Sequence, residues 1–174
     1  VAVADNGYRA EIDLYAGHFT GGDLVEAALT HNLQSELSKI LNLCNGKVRG
    51  IVEIYTNRFQ YQNAKVVLRA VENEVDVKKV SHSILPEESE INIPWLKIIE
   101  ESNAIRDAVE QMRRLPFGKA LLALGEEAGL QKYEDELDRH YFKKSLGLLQ
   151  SGSPDIRILK NHLCSEIDHR NIIN

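Results

Sequence analysis

Val48-Arg49-Gly50-Ile51-Val52-Glu53-Ile54-Tyr55-Thr56-Asn57-Arg58-Phe59-Gln60-Tyr61-Gln62-Asn63-Ala64-Lys65-Val66-Val67-Leu68-Arg69-Ala70 contains no proline. Val48, Ile51, Tyr55, Phe59, Val66 and Ala70 recur mostly at gaps of three or four, while Arg49, Glu53, Asn57 and Gln60 take the opposite face. That period is the signature of one long amphipathic helix, because residues three and four apart share a helix face.

The same period extends in both directions. Upstream, Val25, Leu29, Leu33, Leu37, Ile40 and Leu41 give a helix over 24–43. Asp23 reads as its N-cap with Glu26 three residues on, and Asn45-Gly46 as its stop. Downstream, 76–85 reads as one short helix and Pro86-Glu87-Glu88-Ser89 as a solvated break. Pro94 suits a first helical turn. The stripe continues through Trp95, Ile98, Ile99, Ile105, Ala108, Val109 and Met112, until Leu115-Pro116-Phe117-Gly118 interrupts it. A short helix over 121–124 ends near Gly129; Tyr133, Leu137, Tyr141, Phe142, Leu146 and Leu149 mark the next. Ser153-Pro154 starts the last, a serine N-cap before a proline at the first helical position. The expected fold class is therefore all-α. The last helix meets no glycine, proline or basic stop before Asn174, which predicts that the chain is a piece of something longer.

Composition agrees. In 174 residues, 43% apolar side chains suffice for a core, and 27% charged with a net charge of −5 mark a soluble globular chain. The absence of a basic excess argues against nucleic acid or anionic lipid as the main partner. Two cysteines, Cys44 and Cys164, make neither a disulfide framework nor a metal quartet and fit a reducing compartment.

Sliding the sequence by 108 residues lays 25–63 over 133–171 without a gap. Glu26 then meets Glu134, Leu29 meets Leu137, Leu41 meets Leu149, Arg49 meets Arg157 and Asn63 meets Asn171. Each copy reads as helix, short polar turn, longer helix, which predicts two related helical lobes, 1–75 and 76–174, each burying a face against a neighbour.

Reaction chemistry finds no anchor. Gly46-Lys47 and Gly118-Lys119 lack the hydroxyl residue of a phosphate loop, and no Gly-x-Ser-x-Gly occurs. Glu166 and His169 have the Glu-x-x-His spacing of carboxylate-bridged di-iron bundles, but such a site needs a second pair and two further glutamates. No catalytic residue, cofactor, metal site or small-molecule substrate is therefore expected. The polar residues of interest are Asn63, Lys65 and Arg69 in one stretch, and Glu166, Asp168 and Asn171 in the other. An asparagine on a buried helix face must be hydrogen-bonded, so Asn63 and Asn171 read as fixing packing register or as contacting a partner. Lys65 and Arg69, one turn apart, also fit a solvated basic edge.

Three stretches resemble one family. Residues Tyr55 to Ala70 resemble the tyrosine–(aromatic or Asp)–Asn–Lys–Leu–Arg signature of the C subunit of archaeal-type ATP synthases, a family that includes the d subunit of V-type ATPases. Leu115-Pro116-Phe117 followed by Tyr133-Glu134-Asp135-Glu136-Leu137-Asp138-Arg139-His140-Tyr141-Phe142 is similar to its Glu-x-x-Leu-Asp-(Lys/Arg)-x-Tyr-(Tyr/Phe) helix. Glu166-Ile167-Asp168-His169-Arg170-Asn171 is similar to its Glu-x-Asp-x-x-Asn segment. Gln60 departs from the pattern, standing where the family often has aspartate. The resemblance implies a fragment of a three-lobed, funnel-like subunit. It implies a non-catalytic central-stalk socket that couples the rotor shaft to the membrane rotor ring and transmits torque for proton or sodium transport. The implied partners are central-shaft subunits and that ring, and the implied place is the cytoplasmic side of the membrane, peripheral to it. A helical-repeat adaptor of another complex is the alternative, and self-association is expected of faces left uncovered.

Overall fold

The computed structural model describes residues 7–80, 83–84, 95–125, 127–150 and 153–173. They form nine α-helices: α1 (Arg9–Tyr15), α2 (Gly21–Leu43), α3 (Gly46–Glu72), α4 (Val77–Val80), α5 (Trp95–Glu101), α6 (Ile105–Gln111), α7 (Gly118–Leu122), α8 (Leu130–Leu148) and α9 (Pro154–Ile173). A 3-10 turn, Met112–Arg114, follows α6. No strand occurs among the described residues, so the fold is all-α. Pro94 and 86–89 lie outside those residues.

Helix starts follow local chemistry. Before α9, the Ser153 side-chain oxygen accepts from the Ile156 amide at 3.4 Å, and Pro154 opens the helix without needing its missing N–H. Two expected boundaries move. Helix α2 begins at Gly21, after Thr20 in extended backbone, so Asp23 lies in the first turn and does not cap it; there its charge faces the positive end of the helix. Gly46 opens α3, with Cys44 and Asn45 alone as the connection, and does not close α2. The stripe from Trp95 to Met112 is likewise two helices. The Asp107 carboxylate accepts from the amides of Asn103 and Ala104 at 3.0 and 3.1 Å, so a new helix begins at Ile105.

The chain divides into two compact units, one running to Thr56 and the other taking up at Asn57. In the first, α1 packs on α2. The Tyr15 hydroxyl lies 2.7 Å from His31 Nδ1, their rings 4.4 Å apart, and the Asn32 amide donates to Glu11 at 2.8 Å. In the second, the core gathers Val67 and Leu68 of α3, Met112, Phe117, Leu121, Tyr133 and Leu137, each 1% exposed or less. Gly118 lies against the backbone of the preceding turn: a Cβ there would stand 2.4 Å from the Met112 carbonyl oxygen.

The stretches aligned by the 108-residue offset begin their helices at corresponding places. Gly46 opens α3 and Pro154, 108 residues on, opens α9; α2 begins at Gly21 and α8 at Leu130, one residue past the same offset.

Candidate functional site

From residue 58 onward, α3 carries a row of polar side chains at helical spacing, and each meets a residue of α8 or α9. Arg69 grips Glu134 with two parallel bonds, Nε at 2.5 Å and Nη2 at 2.9 Å. One turn earlier, Lys65 Nζ donates to Asp138 at 2.7 Å. One further turn back, the Tyr61 hydroxyl lies 2.9 Å from His140 Nδ1. Arg58 then pairs with Glu166 of α9 through both its terminal nitrogens, one bond measuring 3.4 Å. Numbers rise along α3 as they fall along α8, so the two helices run antiparallel.

Spacing explains the match. Lys65 and Arg69 are four residues apart, as are Glu134 and Asp138, so both pairs stand on single faces one helical turn in length. Around them the packing is aromatic. Tyr61 lies 4.9 Å from Phe117 and 5.3 Å from Tyr141, ring centre to ring centre, and the Arg58 guanidinium sits 6.0 Å over the Tyr141 ring. Such tilted arrangements set positive ring edges against negative faces.

Burial gives the ladder its electrostatics. Lys65 is 8% exposed, and a lysine so far from water needs a close anion. The Glu134 carboxylate holds the Arg69 pKa above its ordinary value. Burial, with Tyr141 nearby, pushes Tyr61 up to about 12. Burial first, then the Lys144 charge, holds His140 below its ordinary value. At neutral pH the phenol is therefore protonated and the imidazole neutral, and the imidazole tautomer sets which of the two donates.

Of the residues singled out in the sequence, Asn63, Lys65 and Arg69 belong to α3, and Glu166 reaches them through Arg58. Asn63 is buried at 2% exposure. Asp168 and Asn171 lie exposed on α9. Asn171 is thus exposed where Asn63 is buried. Lys65 and Arg69 are ion-paired and do not form a free basic edge. Glu166 is held by Arg58, and His169 beside it is exposed. Among the described residues, no group of three or more His, Cys, Asp or Glu could hold a metal ion. Sequence reading missed Arg58, Tyr61, Glu134, Asp138 and His140 as ladder members. The matching four-residue spacing of opposite charges on two helices was the available signal.

The geometry is that of a clamp. Opposed charges and a phenol–imidazole bond hold three helices in register, and the described residues are all-helical. The chain belongs to the ATP synthase (C/AC39) subunit family, whose model matches residues 4–174. It is 26% identical over 171 residues to the C subunit of the A-type ATP synthase of Haloferax volcanii, covering 96% of this chain and 49% of that protein. To the corresponding C subunit of Halorubrum lacusprofundi it is 28% identical over 174 residues, covering 98% and 49%. To that of Methanosarcina mazei it is 23% identical over 173 residues, covering 99% and 48%. The chain thus spans about half the length of these curated relatives. No solved structure matches it. Among the described residues, no helix is long and apolar enough to cross a membrane.

Proposed function

We propose that the chain is part of a non-catalytic central-stalk subunit of a rotary A/V-type ATP synthase. In this reading it is a socket between rotor shaft and membrane rotor ring, peripheral to the cytoplasmic face, and it transmits torque for proton or sodium transport. Two related helical lobes, 1–75 and 76–174, supply its body, and Asp168 and Asn171 on the exposed side of α9 are offered to a partner. The observation that supports this most is the ladder from Arg58 to Arg69. A coupling part must resist shear between its helices, and paired charges plus a close-packed aromatic core resist it. Family membership supplies the complex in which such stiffness is useful.

The test is a binding assay with purified shaft subunits and detergent-solubilised rotor ring at near-physiological salt. Association with either supports the socket. Failure to bind both, with the helical circular dichroism spectrum intact, overturns it and favours an adaptor of another complex.

A further inference from the structure

The ladder uses one side of α8, where Glu134 and Asp138 meet α3. Glu136 is two residues from each and so stands on the other side of the helix. It too is buried, at 6% exposure, yet its carboxylate is engaged by an arginine at the surface. Arg139 donates to Glu136 Oε2 from Nε at 2.8 Å and from Nη2 at 2.5 Å, while its own side chain is 70% exposed. Burying a carboxylate for the sake of an exposed partner is unfavourable as a source of stability. What the contact does is fix the guanidinium. That group has five N–H donors in a rigid fork, and the edge formed by Nη1 and the second Nη2 proton is left open for another acceptor. Lys143 lies one turn on and Lys132 two turns back, so three exposed cations share one face about 16 Å long. Among the described residues, neither lysine is ion-paired. Asp135, four residues before Arg139, accepts instead from the Gln131 amide at 2.8 Å.

We propose that this face of α8 docks an acidic segment of a partner protein. One carboxylate of the segment takes the open edge of Arg139 through two parallel hydrogen bonds, and a second, one helical turn along, pairs with Lys143. Glu136 is a positioning residue: it holds the fork in one orientation, so binding does not have to order it. Charge selects the partner. The chain carries −5 overall, so a polyphosphate or an anionic membrane is repelled by the wider surface, whereas a short acidic segment meets only the local excess of positive charge. The face is made by α8 alone and does not depend on the stalk reading.

The test titrates an acetylated peptide of Glu-Ala-Ala-Ala repeats, with glutamates one helical turn apart, into the intact chain and follows amide and imidazole NMR signals. Shifts gather around Arg139 and Lys143 and weaken as salt rises. Burial first, then the charges of Lys144, Lys143 and Arg139, hold the His140 pKa low, with Glu136 opposing them. Bound carboxylates offset those cations, so the His140 pKa moves up at saturation. Arg139→Lys keeps the charge but loses the fork, and affinity falls about fivefold. Glu136→Gln removes a negative charge, which by charge alone tightens binding; with Arg139 no longer held, affinity instead falls about threefold. Arg113→Ala, an exposed cation outside α8, leaves affinity unchanged. The docking face is overturned if Arg139→Lys binds as tightly as the parent, or if folded Glu136→Gln binds at least as tightly. It is overturned equally if inorganic phosphate or phosphatidylserine vesicles displace the peptide at equal charge concentration, since the face then reads phosphate and not an acidic segment.

Discussion

Arg58 of α3 and Glu166 of α9, 108 residues apart in the chain, form an ion pair with each other. This pair marks a point at which α3 and α9 are pinned together. Like charges at the two positions would repel there; the opposite charges present attract.

Reversing one member should create the clash. Arg58→Glu is expected to cost about 1–2 kcal/mol of unfolding free energy, since the pair is only partly shielded from water. The double reversal Arg58→Glu with Glu166→Arg should recover most of that loss. Urea titrations of the single and double variants measure both, and a double variant no better than the worse single would show that the two residues do not couple.

Lys65 and Asp138 behave differently because the lysine is buried. Asp138→Ala leaves an ammonium in the core without this counter-charge and should cost about 3 kcal/mol. Replacing both, Lys65→Met with Asp138→Leu, should come within about 1 kcal/mol of the parent, because hydrophobic packing substitutes well for a buried pair. Chemical denaturation of the three variants decides it.

The burial of Tyr61 and His140 predicts a dependence on pH at both ends. His140 has a folded pKa below its unfolded value, so its contribution is complete above about pH 6.5 and is lost as acid protonates the imidazole. Tyr61 has a folded pKa of about 12, so its contribution holds up to about pH 10, the unfolded value, and is lost between there and about 12. Thermal melting against pH should show both slopes, and Tyr61→Phe should remove the alkaline one. Absorbance titration of the tyrosines should likewise lose a phenol that ionises near pH 12 in that variant.

Gly118 admits no side chain. Gly118→Ala would press a methyl group to 2.4 Å from the Met112 carbonyl and 2.7 Å from Arg113 backbone atoms. Main chain cannot swing aside as a flexible side chain does, so a loss of about 2–3 kcal/mol is expected. Gly129→Ala, where nothing lies within 4 Å of the added atom, serves as the control. Differential scanning calorimetry of the two compares them directly.

Helices announced themselves in the sequence wherever a local signal sufficed. The Ser153-Pro154 pair and the periodic stripe of α3 act over a few residues, and both fall where expected. The break between α5 and α6 was hidden, because Asp107 ends one helix and starts another by bonding amides that apolar periodicity does not weigh. The polar ladder was half legible. Lys65 and Arg69 stood out on one face, but their partners lie 73 and 65 residues away, and charge spacing alone does not say which two helices meet. Asn63 and Asn171 looked alike for the same reason: each lies near an apolar stripe, and the sequence does not say which stripe a neighbouring helix covers.

The shielding of Lys65 has a practical use. An amine-reactive label should reach the lysines of the outer surface, such as Lys39 and Lys97, and spare Lys65 as long as α3 and α8 remain zipped. Slow modification at that one amine would then time the rare separations of the two helices, giving a clock for how often the framework breathes.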